Sequence, residues 1–122
     1  MDESKTNFVM TQIKYVSEDY TAVIELYDNF SSNSDSEISD SFDELAADTY
    51  LKLKEYSSAI ELYQKLYEKN QSTSIGRKLA GAYINIANAI ETAEIIGTEN
   101  EKNGYLKESA EIYEKIIEQK KL

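Results

Sequence analysis

The tetrapeptide IELY stands twice in this chain, at 24–27 and again at 60–63. The likeness continues on both sides. Aligning Tyr20 with Tyr56 pairs Val23 with Ala59, Ile24 with Ile60, Leu26 with Leu62, Tyr27 with Tyr63 and Phe30 with Leu66, at a constant offset of 36 residues. A looser third copy, LKESAEIYEKII, sets Leu106, Ser109, Ala110, Ile112, Tyr113 and Ile116 against Tyr56, Ala59, Ile60, Leu62, Tyr63 and Leu66, at an offset of 50. In the middle copy Tyr56, Ala59, Ile60, Tyr63, Leu66 and Tyr67 recur at steps of three and four, which is the stripe of an amphipathic helix. Repetition at this period is the mark of stacked helical units, none of which can bury its apolar face alone.

Each repeated helix is preceded by another apolar-periodic stretch: NFVMTQIKYV, DELAADTYLKL and IGRKLAGAYINIANAIETAEII. Proline is absent and there are only four glycines, so little in the sequence breaks a helix. The expected fold is therefore all-α: three antiparallel helical hairpins, at about 5–30, 41–70 and 74–121, joined after the first by a Ser-rich acidic segment at 31–40. The 14 residues by which the third offset exceeds the first equal about four helical turns. Two extra turns in each helix of the third hairpin absorb them, with one helix from about Ser74 to Ile96, Gly97 as a left-handed stop, and Thr98 with Glu101 capping the next. A loop over 97–104 is the alternative, since Asn103 and Gly104 form a turn signal.

A length of 122 residues fits one domain. With no cysteine or histidine, disulfides, thiolate sites and the usual general base and transition-metal ligand are ruled out. The start MDESKTNF has neither a basic segment nor an apolar core, and no apolar run approaches a membrane span, so a cytoplasmic protein is expected. Net charge is −10, and residues 1–40 carry nine acids against two lysines. Such a field disfavours nucleic acid and anionic lipid as partners.

The run SSNSDSEISDS between Phe30 and Phe42 has a calcium-loop rhythm, with Asn33, Asp35, Glu37, Ser39, Ser41 and Glu44 at positions 1, 3, 5, 7, 9 and 12. The chemistry fails: Ile38 stands where the loop needs glycine, and Asp40 where it needs an apolar residue. Ser41 and Glu44 read better as a capping box opening the second hairpin, leaving 33–39 as a mobile acidic turn. Ser32 and Ser34, each with an acid three residues on, fit acid-directed phosphorylation.

Ten of the thirteen aromatic residues are tyrosine. Tyr27, Tyr50, Tyr56, Tyr63 and Tyr113 fall at repeat-packing positions, where a ring is buried and a hydroxyl stays wet. Tyr67 and Tyr83 are the candidates for surface contact. Glu44 and Asp48 share a helix face one turn apart, which makes an acidic stripe and not a catalytic pair. Gly76, Arg77 and Lys78 lack the pattern of a phosphate loop. No catalytic residue, metal or cofactor is indicated.

These residues resemble the tetratricopeptide repeat family. The best copy is about 40–73, where Ala47, Tyr50, Ala59, Tyr63 and Leu66 stand at the family's small and aromatic positions; Ala80, Gly81 and Tyr83 look like its first-helix signature in the third copy. Asp43 and Ala46 replace the family's Trp and Leu, Ala47 its Gly, and Gln71 its closing Pro. The resemblance implies a right-handed solenoid that binds a peptide or a partner helix in a groove lined by first helices. Carried onto this chain, the groove positions are Val9 and Ile13 in the first hairpin, Ser41, Glu44, Asp48 and Lys52 in the second, and Lys78, Ala82 and Asn85 in the third. Glu44 and Asp48 do not suit the clamp that holds chaperone C-termini. The resulting expectation is a non-enzymatic binding module for a basic or amphipathic protein segment. Its alternative is an assembly subunit docking through its end helices, to itself or to further repeats.

Overall fold

The computed structural model describes residues 3–30 and 36–121, and these form helices and turns with no strand. In chain order the helices are α1 (Glu3–Val16), α2 (Tyr20–Phe30), α3 (Ser36–Lys52), α4 (Tyr56–Asn70), α5 (Thr73–Glu91) and α6 (Glu99–Lys121). None is long and apolar enough to cross a membrane. The chain is all-α, as its periodicity predicts. It divides into two compact units, 1–62 and 63–122, with the division inside α4.

In the first unit α1 packs on α2 and on α3, and α2 packs on α3. The steps of three and four in α3 bury Phe42, Asp43, Ala46, Ala47 and Thr49, and α2 adds Val23. Phe42 is the centre of an aromatic group, edge-on to Phe8 at 5.2 Å and tilted against Tyr27 at 6.4 Å. Thr11 and Thr49, fully buried, each donate the hydroxyl to the carbonyl one turn back, Asn7 and Leu45, at 2.7 Å. That local bond is what lets a hydroxyl sit in an apolar layer.

In the second unit α5 packs along α6. α5 buries Ile75, Gly76, Leu79, Ala80, Ala82, Tyr83, Ile86, Ala87 and Ala89, a broad face that takes in about half of the helix surface. A face this wide accommodates more than one neighbour, while Arg77, Asn85, Asn88 and Glu91 keep the opposite side in water. Small residues allow close approach: a Cβ on Gly76 would stand 3.0 Å from the Tyr67 ring and 3.3 Å from Ile116. Ser72 caps α5 by accepting from the Ile75 N–H at 3.1 Å.

The same turn closes α1, α3 and α5. Glu18, Lys54 and Ala93 have φ of 61°, 62° and 61°. At each, the left-handed residue donates its N–H to the carbonyl three residues back (Tyr15, Leu51, Ile90), and the next residue donates to the carbonyl five back (Lys14, Tyr50, Ala89). This is the Schellman arrangement, made here without a glycine. The first two turns are 36 residues apart, the offset of the sequence repeat, and the third follows 39 residues after the second.

The extra 14 residues of the third copy are distributed differently from the expectation. Three fall before the turn at Ala93, four lengthen the connection at 92–98, and seven are added at the start of α6 ahead of Leu106. α5 thus ends at Glu91, not near Ile96, because Ala93 and not Gly97 takes the left-handed turn. Gly97 has a different role: a Cβ there would lie 2.7 Å from Cγ1 and Cδ1 of Ile90, so the connection lies directly on α5. Thr98 and Glu101 do form the capping box, with Glu101 N–H donating to Thr98 Oγ1 at 3.0 Å and Thr98 N–H to Glu101 Oε1 at 3.1 Å. Residues 99–104 are helical, so no loop runs to Gly104.

A second correction concerns the acidic run. α3 starts at Ser36, so Ser41 and Glu44 lie inside the helix and form no cap at its start. Ile38 and Phe42, four apart, continue the apolar stripe of α3 backwards past Ser41, which is why the helix begins early. A helix over 36–44 also removes loop geometry from most of the calcium-like spacing. The candidate phosphorylation sites Ser32 and Ser34, and Asn33 and Asp35 of the expected turn, lie outside the described residues.

Candidate functional site: clefts and exposed faces

The residues carried over from the family pattern have unequal standing. On α3, Ser41, Glu44 and Asp48 are half-buried and Lys52 is exposed, at steps of three and four along one face. On α1, Val9 and Ile13 are exposed, 46% and 58%, too open for core residues. On α5, Lys78 is half-buried and Asn85 exposed, but Ala82 has no exposed surface and offers nothing to a partner. Its place on the buried face of α5, between Leu79 and Ile86, explains the burial.

The second unit contains a cleft that the family pattern does not point to. It has a volume of about 230 Å³, with an apolar floor of Tyr67, Leu79, Tyr83 and Ile112 and a rim that includes Gln64, Glu68, Glu108, Glu111 and Lys115. A wider pocket of about 430 Å³ adjoins it, sharing Gln64, Tyr83 and Glu108 and adding Glu101, Gly104 and Tyr105. Together the two are lined by four glutamates against one lysine. Tyr67 and Tyr83, singled out in the sequence as contact candidates, are 8% and 7% exposed and form the floor. Tyr83 stacks on Tyr105 with ring centroids 5.9 Å apart and planes 25° from parallel. Burial, then the nearby Glu108 charge, raises the Tyr83 phenol above its ordinary value, so it stays a neutral donor. The rim is fixed from α6, whose start is tied to the end of α5: Lys102 Nζ lies 2.7 Å from Glu91 Oε2 and 3.0 Å from Glu99 Oε1. That pairing lowers the Glu91 carboxyl and raises the Lys102 ammonium.

The first unit has two other features. Tyr27 donates its hydroxyl to Asp43 Oδ1 at 2.6 Å, and Asp43 is 3% exposed. Burial, reinforced by that carboxylate, holds the Tyr27 phenol far above its usual range. This is a structural pair, since none of the clefts described here opens onto it. On the outer side of α1, Val9, Ile13 and Val16 stand at i, i+4 and i+7 beside a shallow apolar hollow of about 300 Å³ that also includes Gln12 and Ser17. Among the described residues no group of three or more carboxylates is placed to hold a metal ion.

Tyr113, expected at a packing position, is 37% exposed, whereas its repeat counterpart Tyr63 is 1% exposed. α6 buries Ser109, Ile112 and Ile116 instead, the side that meets α5. Among the described residues the structure is helical, with two compact units and an acidic, tyrosine-floored cleft in the second. Neither a family model, nor a curated protein, nor a solved structure matches it.

Proposed function

We propose that the chain is a non-enzymatic interaction module, a tetratricopeptide-like array of three helical hairpins, that holds a basic segment of a partner protein in the cleft of its second unit. The observation that carries this reading is the lining of that cleft, four glutamates and one lysine around a floor of Tyr67, Leu79, Tyr83 and Ile112. An apolar floor supplies contact area, and a charged rim selects the sign of the ligand and speeds encounter. The solenoid part of the proposal is supported by the turns at Glu18 and Lys54, which repeat bond for bond at the 36-residue offset of the sequence. The setting that goes with it is cytoplasmic, and the ligand is protein rather than nucleic acid, given the net charge of −10.

The test is calorimetric titration with a lysine- and arginine-rich peptide. Changing Glu68 and Glu111 to Lys is expected to weaken binding by about tenfold or more, while Glu44→Lys with Asp48→Lys leaves it within about twofold. The reverse result would move the site to α3 and end the cleft reading.

A second reading rests on its own observation, the open apolar side of α1 at Val9, Ile13 and Val16. There the chain is an assembly subunit that packs α1 on another copy or on further repeats. Light scattering decides it: this reading requires a dimer or higher species that Ile13→Glu dissolves.

A further inference from the structure

We infer that the wider pocket of the second unit is a seat for an arginine side chain of the bound segment; the inference rests on the cleft reading above and names the group the cleft selects. The lining comes largely from one face of α6. Glu101, Gly104, Tyr105 and Glu108 stand at i, i+3, i+4 and i+7, so a carboxylate, a gap, a ring and a second carboxylate follow one another along the helix. Tyr83 and the Gln64 amide complete the pocket.

Each part suits a guanidinium better than an ammonium. Tyr105 is half-buried and stacked on Tyr83, which fixes its ring plane and leaves it as a platform for a flat cation. Glu108, exposed at the rim, presents two oxygens to a two-toothed donor, the geometry in which arginine exceeds lysine. Glu101 already uses Oε1 to close the helix cap, so its orientation is set before any ligand arrives.

Gly104 supplies the independent argument. It lies well inside α6, where glycine costs up to about 1 kcal/mol against alanine. Gly76 and Gly97 are explained by neighbours that a Cβ would crowd. At Gly104 nothing lies within 4 Å of where a Cβ would be, and φ is not positive, so neither packing nor backbone requires it. What its missing side chain does leave is clearance in the pocket between Glu101 and Glu108. Gly81 has equally open surroundings but lines neither cleft, which makes it the control.

The experiment titrates the whole chain with three peptides of one lysine- and alanine-rich sequence whose central residue is arginine, lysine or citrulline. The arginine peptide is expected to bind about tenfold tighter than the other two. Gly104→Leu, which fills the pocket from a helix it favours, brings the arginine peptide down to the lysine level, and Gly81→Ala changes nothing. Equal binding of the arginine and lysine peptides, or full affinity in Gly104→Leu, overturns the arginine seat while leaving a general acidic cleft. Absence of binding by all three overturns the seat together with the cleft.

Discussion

The two units share a construction and differ in what they do with charge. Residues 1–62 hold fourteen acids and four lysines, so the whole net charge of −10 belongs to the first unit, while residues 63–122 hold nine of each sign. Yet the cleft suited to a cation lies in the neutral unit. Net charge sets the long-range field, which governs solubility and encounter. Binding depends on which charges converge around a concavity, and there α4 brings Glu68 and α6 brings Glu101, Glu108 and Glu111 around a lining whose one cation is Lys115. The first unit spends one of its acids inside: Asp43 is buried against Tyr27. The second unit packs α5 almost entirely through apolar and small side chains.

The sharpest way to break this contrast is to remove the buried acid. Asp43→Ala leaves the Tyr27 hydroxyl without its acceptor and opens space beside Phe42. It is expected to cost about 2–4 kcal/mol, with the loss of amide-exchange protection concentrated in α1–α3 rather than in α5 and α6. A loss below about 1 kcal/mol would mean that Asp43 is spectator to the fold.

Alkaline pH probes the same pair more gently. The Tyr27 phenol is raised from an ordinary value of 10.0, first by burial and then by its bond to Asp43. Below pH 10 both folded and unfolded chains keep the proton and its stabilisation is complete. Above pH 10 the unfolded chain loses the proton first, so stability falls as pH climbs toward the folded value. Tyr50 is raised in the same direction, first by burial and then by Asp28 and Glu55. Urea midpoints at pH 8 and pH 11 are therefore expected to differ more in the wild type than in Tyr27→Phe. Equal slopes in the two proteins would sink the assignment.

How much of this was legible in the sequence depends on how local the cause is. The 36-residue offset gave the positions of α2 and α4, because a repeated apolar stripe is a property of one helix at a time. S-x-x-E at 41–44 is a capping pattern that a stronger signal overrides at the start of α3: Ile38, half-buried and four before Phe42, already continues the apolar stripe. The end of α5 differs from the expectation because glycine is the usual left-handed residue, and here alanine takes that position five residues after Asn88. Ala82 is a groove position only by the family resemblance, whereas Ile75, Leu79, Ile86 and Ala89, at steps of three and four around it, mark it as part of the buried face of α5. The cleft drew its residues from three helices and so left little trace in any one of them. Its one readable part is the α6 face of Glu101, Gly104, Tyr105 and Glu108, whose glycine also supports the alternative of a loop over 97–104.

The smallest effect tests what the two units have in common. Glu18, Lys54 and Ala93 all have φ near 61°, where an L-residue suffers about 1–2 kcal/mol of steric strain and glycine almost none. Glycine also makes the unfolded chain more mobile, which returns part of the gain. Lys54→Gly in the first unit and Ala93→Gly in the second are each expected to stabilise by about 0.5–1 kcal/mol, read as a shift of the urea midpoint at constant slope. Equal gains mean that one turn geometry recurs irrespective of the charge around it. A gain at Ala93 alone would show that the lysine side chain at position 54 already contributes what the backbone lacks, since a long cationic side chain can make interactions that the alanine methyl cannot. In that case the turn would belong to the contrast between the units, with charge shaping even the backbone of the first.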